Sequence, residues 1–156
     1  FATVTHELSQ SGVVCIREEQ HLVYRAAATQ SVEVAAEAAS PQSDFETTWQ
    51  FDAATLFRYS ALTFNSHRIH YDVDYARYVE GYSGLVVHCP LLATVLLVLA
   101  TRHGRPGNRF EYRAKSAVTL PHTVTVRGRS NAAATELWAA GADGSVHYRV
   151  NIAIRR

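Results

Sequence analysis

The chain has no methionine at all, not even at position 1. It opens on "FATVTHEL", which reads like the interior of a strand, so its natural start is expected to lie upstream. It holds one lysine, Lys115, against fourteen arginines, which we read as compositional bias of the source. Cys15 and Cys89 are the only cysteines and fit neither a zinc spacing nor a disulfide framework. A reduced, intracellular setting is the default. No secretory-signal pattern is visible. The longest apolar run, Leu91 to Ala100, is too short to span a bilayer and follows a proline. An excess of charge is missing too: 15 basic and 14 acidic residues give a formal charge of +1. That removes any global electrostatic reason to expect nucleic acid or an anionic membrane as partner.

With 47% apolar and 19% charged residues, the 156-residue chain should fold around a substantial core. Two alternating runs over 1–28, separated by "SQSG", predict a β-hairpin. Residues 29–46 are rich in Ala, Ser and Glu and read as a linker. From there, "TTWQFDA" (47–53) predicts a strand, "ATLFRYSALTF" (54–64) a short helix, and "VDYARYVEG" (73–81) another, stopped by Gly81. A long helix is predicted over 88–103, with Pro90 in its first turn and Gly104 and Pro106 ending it. It is apolar on nearly every face, so other structure should wrap it. Strands follow at 109–118, 122–130, 134–141 and 145–155, and are expected to run as a meander. The pattern predicts an α+β fold, a curved antiparallel sheet around one long buried helix. Residues 1–28 also echo the layout of the chain's last strands, as the end of an earlier copy would.

The eight residues "NSHRIHYD" (65–72) are the densest in groups that move protons. His67 and His70 form an H-x-x-H pair but lack further metal ligands, so no metal is expected. His70 is the first candidate for acid/base work, because an imidazole titrates near pH ~6.5. His67 could instead only bond a backbone carbonyl, Tyr71 and Tyr59 are ordinary core or rim residues in most folds, and His88 could simply pack at the helix start. Asp72 and Asp74 suit the start of the 73–81 helix. His6, His21, His103, His122 and His147 show no partners and are read as surface.

"FRYSALTFNSHRIHYD" and "EGYSGLVVHCPLLATVLL" together resemble the MaoC-like, R-specific hot-dog hydratases and dehydratases of enoyl thioesters. Within that family they are most similar to the subfamily of mesaconyl-C4-CoA (3-methylfumaryl-CoA) hydratase and the mitochondrial-type hydroxyacyl-thioester dehydratase. The resemblance spans residues 47–130 well. It implies a hot-dog fold over 47–156 and a truncated N-terminal hot-dog copy in residues 1–28. It also implies pairing of hot dogs, either as a homodimer or with that copy. The substrate would be an acyl-CoA thioester, with no cofactor, and the reaction a reversible hydration, foremost of mesaconyl-C4-CoA to citramalyl-CoA. A (3R)-hydroxyacyl-CoA or acyl-carrier-protein dehydratase is the alternative, and a non-catalytic thioester-binding or assembly module a further one.

The family's loop reads Asp-x-Asn-Pro-(aliphatic)-His. With its histidine on His70, the aspartate falls on Asn65, the asparagine on His67 and the proline on Arg68, so this chain departs at three places. Carried over, His70 is the base and Asn65 positions the water. Asp72 orients a histidine, with Asp72 or His67 in place of the missing carboxylate as the alternative, and the Cys89 backbone N–H is the oxyanion donor where the family often has glycine. His67, Arg68, Tyr71, His88 and Pro90 are expected around the substrate, with Arg68 gripping a substrate carboxylate and Arg58 or Arg113 facing the CoA phosphates.

Overall fold

The computed structural model describes residues 1–22, 42–105, 107–131 and 134–153. The chain divides into two compact units. The first holds strands β1 (Ala2–Gln10) and β2 (Val13–Leu22), an antiparallel hairpin turned at Ser11 and Gly12, with a bulge at Leu8/Ser9. The hairpin predicted over 1–28 therefore forms within its described residues. Most of the segment read as a linker lies outside them.

The second unit runs β3 (Phe45–Gln50), α1 (Ala53–Thr63), a 3₁₀ turn (Arg68–His70) and a π-helical turn (Tyr75–Val79). The long helix α2 (Cys89–Arg102) follows, and then β4 (Arg109–Ala114), β5 (Thr123–Ser130), β6 (Ala134–Ala140) and β7 (Val146–Ala153). Strand β3 starts two residues before the expected position because Phe45 pairs with Gly128 and stacks on His103, 4.3 Å between ring centroids.

All pairings are antiparallel, and the sheet order is β3-β5-β6-β7-β4. The expected four-strand meander is thus corrected. Only β5, β6 and β7 follow one another, while β4 pairs with β7 at the far edge. The physical reason lies in residues 115–121. They leave the ladder after Ala114 to pass the start of α2, where Val86 bridges Thr119 and the Val87 N–H donates to the Val118 carbonyl at 2.8 Å. A strand that continued to 118 could not make that crossing.

Helix α2 lies against β5, β6 and β7. Leu92, Leu96, Leu99 and Ala100 meet Val124, Val126, Leu137, Tyr148 and Val150 in one core. The sheet covers only one side of the helix. Leu97 and Val98 stay 40% and 37% exposed, so the all-round wrapping expected of this helix is not what the unit provides. On the sheet's other face Trp138, Ala140 and Val146 form a separate buried cluster. The chain has the hot-dog fold, an α+β arrangement of curved sheet and central helix.

One glycine fixes the approach of the segment before α2. A Cβ on Gly84 would stand 2.3 Å from the Leu120 carbonyl oxygen, a backbone atom that cannot swing aside. Gly84→Ala should therefore push residues 84–88 off residues 118–120 and cost about 1–3 kcal/mol. Urea unfolding measures it, and an unchanged midpoint would show that the crossing can flex.

Candidate active site

Helix α1 begins at Asp52, whose carboxylate accepts from the Thr55 N–H at 2.7 Å, and ends at Phe64 in the left-handed region. That reversal delivers Asn65 to the loop. The Asn65 Oδ1 accepts from the His67 N–H at 3.0 Å, an Asx turn that spends the oxygen and leaves the amide NH₂ as its donor. The 3₁₀ turn then buries Ile69 and His70.

His70 is held from two directions. Its Nδ1–H donates to the Val86 carbonyl at 2.7 Å, and the Val86 N–H donates back to the Ile69 carbonyl at 2.9 Å. This bond puts the proton on Nδ1 and leaves Nε2 as the basic nitrogen. Burial lowers the His70 pKa, opposed by the Val86 bond and assisted by nearby His67. The His70 ring is therefore neutral at pH 7.

His88 is 1% exposed and stacks on His70, with centroids 3.6 Å apart and planes 17° apart. Its Nε2 lies 2.8 Å from the Ser60 hydroxyl, and Tyr59 meets it edge-on at 4.8 Å. Burial, then His70, pushes its pKa down to about 4. The expectation that His88 packs at the helix start is met, but as part of a histidine pair.

This pair has a stability consequence. An imidazole whose folded pKa is depressed is protonated more readily in the unfolded chain, so stability falls as pH drops below the ordinary value near 6.5. With about 4 for the folded state, His88 alone should cost about 2 kcal/mol at pH 5 relative to pH 7, and on the order of 3 kcal/mol below pH 4. His70 adds to the same loss. Urea midpoints at pH 7 and pH 5 check this. The difference should shrink in His88→Gln, and equal differences in both proteins would refute it.

Cys89 opens α2, with Pro90 in the first turn. Its backbone N–H finds no acceptor among the described residues, as the first N–H groups of a helix do not within the helix. The helix dipole adds positive potential there. The residue as a whole is exposed, yet the atoms crowded around its thiol raise the thiol pKa, so it is not poised as a thiolate nucleophile.

Asn65, His70, His88, Cys89 and Pro90 line one cavity of about 400 Å³, closed by residues 114–118 of the crossing segment. The remaining expected site residues lie elsewhere. Asp72 does not orient a histidine: it accepts from the Tyr75 N–H at 3.0 Å and from Arg68 Nη2 at 2.7 Å, and both bonds lower its pKa. The capping alternative for Asp72 is the one the structure shows. Arg68, expected to grip a substrate carboxylate, is spent on Asp72 and lies over the Tyr75 ring at 4.3 Å. Its i,i+4 spacing to Asp72 makes that pairing local and close. Tyr71 turns its hydroxyl to the Ser66 carbonyl at 2.7 Å, outside the cavity. His67 is half exposed, 3.8 Å from Glu80 and edge-on to His70 at 5.8 Å. Arg58 and Arg113 are exposed on α1 and β4.

Ser60, Lys115 and Ser116 were missed by sequence reasoning. The last two line the cavity, and Ser116 bonds His147 Nδ1 at 2.7 Å. His147 and His122, read as partnerless, both have partners. Only Ser60 left a signal: its place within "FRYSALTF", beside the aromatic Tyr59. Among the described residues no three His, Cys, Asp or Glu side chains gather where a metal could sit. No helix among them is long and apolar enough to cross a membrane.

A curved sheet laid against one long helix is the fold that this chain shares with solved hydratases. Over 98% of this chain and 61% of the other, it superposes on HtdX from Mycobacterium tuberculosis with a TM-score of 0.78 and 18% identity. The (R)-hydratase from A. caviae involved in PHA biosynthesis matches with a TM-score of 0.60 and 17% identity, over 78% of this chain and 96% of that one. Residues 1–120 match the family model of hydroxyacyl-thioester dehydratase type 2, and the chain belongs to that family. It is 41% identical over 147 residues to the mesaconyl-C(4)-CoA hydratase of Chloroflexus aurantiacus, across 93% of this chain and 52% of that protein. It is 39% identical over 74 residues to the mitochondrial hydroxyacyl-thioester dehydratase type 2 of Schizosaccharomyces pombe, across 44% of this chain and 25% of that protein. The chain spans about half the length, or less, of these curated relatives.

Proposed function

We propose that the protein hydrates an α,β-unsaturated acyl-CoA thioester reversibly, adding water at Cβ and a proton at Cα. The observation that carries this reading is the gathering of Asn65, buried His70 and Cys89, whose N–H has no acceptor among the described residues, around one cavity. Asn65 holds the water through its NH₂ group. His70 Nε2 takes the water's proton, and the conjugate imidazolium returns a proton to Cα. The Cys89 N–H and the α2 dipole stabilise the thioester oxygen as it gains negative charge. A non-catalytic binding module needs none of these groups to face one space.

Similarity over 93% of the chain supports mesaconyl-C4-CoA as the first substrate to test, with citramalyl-CoA as product. A second reading, dehydration of a (3R)-hydroxyacyl-CoA or -ACP, is favoured by the engagement of Arg68 with Asp72 and by the apolar Ile69, Val86, Val87 and Leu92 in the cavity wall. The side-chain cation lining the cavity is Lys115. Full-length protein should be assayed by loss of enoyl-thioester absorbance with mesaconyl-C4-CoA and with crotonyl-CoA. Preference for the first supports the dicarboxylic substrate, preference for the second supports the alternative, and turnover of neither removes the enzyme reading.

We further propose that residues 1–28 are the last strands of an N-terminal hot-dog copy. The hairpin's status as its own compact unit supports this, as does the half-length match to the Chloroflexus protein. Pairing with such a copy, or with a second chain, would give exposed Leu97 and Val98 of α2 a partner surface. The setting is taken as cytoplasmic, or the mitochondrial matrix in a eukaryote, in keeping with two free thiols.

A further inference from the structure

We propose that His88, clamped by Ser60, is a positioning residue for His70, a buried plate that fixes the plane of the base and shields one of its faces from water. The inference rests on the reading of His70 as the proton carrier. The two rings are nearly parallel at 3.6 Å, the closest ring contact at the site. The Val86 carbonyl holds the Nδ1 edge of the His70 ring and leaves the opposite edge, which carries Nε2, a residual swing. A flat surface against its face removes the swing.

An apolar ring could provide the surface and shield that face from water, but could not hold its own rotation to fix the plane of the base. His88 can, because Ser60 Oγ anchors Nε2 at 2.8 Å and is itself 6% exposed. That anchor carries the whole load, since His88 Nδ1 is buried with no hydrogen-bond partner among the described residues. Without the Ser60 hydroxyl both nitrogens would be unpaired in a buried site, and the ring would turn to find a partner. Tyr59 closes the far side of the plate edge-on.

The other titratable or charged groups around the pair are few. His67, with Glu80 behind it, approaches from the 3₁₀ turn, and Tyr82, Cys89 and Lys115 share the cavity wall. None of them stacks on His70 except His88, while His67 meets it edge-on. The face covered by His88 is closed to water, in keeping with burial as the main cause that lowers the His70 pKa. Removing the plate should therefore change how His70 titrates, and a residue that merely filled space for stability would not need to.

The test uses full-length protein and follows the imidazole carbon and nitrogen resonances of His70 by NMR titration, assigned by their loss in His70→Gln. In wild type His70 should titrate below the ordinary 6.5. In His88→Ala its midpoint should rise toward that value, and the acid limb of kcat/KM should move with it. His88→Phe, which keeps an aromatic plate and folds without a buried nitrogen, should retain the low midpoint. Ser60→Ala should lower kcat on the order of 10-fold to 10²-fold with KM little changed, and Ser60→Thr should recover most of it. The proposal is overturned if His70 titrates alike in wild type and His88→Ala while both are folded by near-UV circular dichroism. It is also overturned if His88→Phe behaves as His88→Ala does. The titration needs no turnover, so inactivity of wild type toward every thioester would sink the hydratase reading without touching this result.

Discussion

His70→Ala is expected to reduce kcat for thioester hydration about 10³-fold, within the 10²–10⁴-fold range that a positioned acid/base contributes. The geometry sets the kinetic form of the loss. His70 Nδ1 is committed to the Val86 carbonyl, so its available nitrogen has one task, and removal should leave substrate binding nearly intact. KM should therefore stay within a few-fold while kcat falls. Asn65 cannot take over, because an amide accepts no proton at neutral pH and its oxygen already receives the His67 N–H. Asp72 cannot either, being bound to Arg68 and the Tyr75 N–H. A second carboxylate would have left a larger residual rate. Steady-state kinetics on full-length protein decides the matter. A loss under 10-fold would mean that another group carries the proton.

Cys89→Pro should lower kcat by about 10²–10³-fold, whereas Cys89→Ala should keep at least a tenth of wild-type activity. Both substitutions delete the thiol, but only proline deletes the N–H. Proline is well suited to the first position of a helix, where its missing donor breaks no intrahelical bond. The preceding residue, His88, already has φ −62° and ψ 130°, the extended conformation a following proline requires. The pair of variants thus separates the peptide donor from the side chain with little change in fold. The expected size is that of losing one oxyanion donor. Near-wild-type rates in both variants would move the oxyanion contact elsewhere. A loss as large in alanine as in proline would give the thiol a role that its raised pKa argues against.

The legibility of this chain was uneven for physical reasons. Pro90, Gly104 and the apolar run between them fixed α2 to within a residue at each end, because capping and periodicity are local. Gly81, at φ 76°, marked the end of the short helix for the same reason, though the π-helical form of that turn left no mark in its composition. The pairing of β4 with β7 was not legible, since a strand's alternation says which face it buries and not which neighbour it meets. His70 could be singled out as an imidazole in a block that resembles the hydratase loop, and the Cys89 N–H because it stands just before Pro90 at the start of a helix in the second block. Ser60 and His88 are 28 positions apart, and only folding brings them together. Arg68 misled because its charge suggested a ligand. A carboxylate four residues away on a helical turn is a nearer partner than any substrate.

The two opposed bonds between Ile69–His70 and Val86 stitch the loop to the strand-like segment that leads into α2. The distance from His70 to the Cys89 N–H is then set within residues 60–89, with residues 118–120 of the crossing segment as the outer support. Such a segment is transplantable. Grafted together with Ser60 into another hot dog that offers the same support at residues 118–120, it should carry its histidine geometry along, whereas acyl selectivity would stay with the host's own wall at the position of residues 114–118. Chemistry and substrate choice can thus be exchanged separately in this fold, by recombination at two short joints.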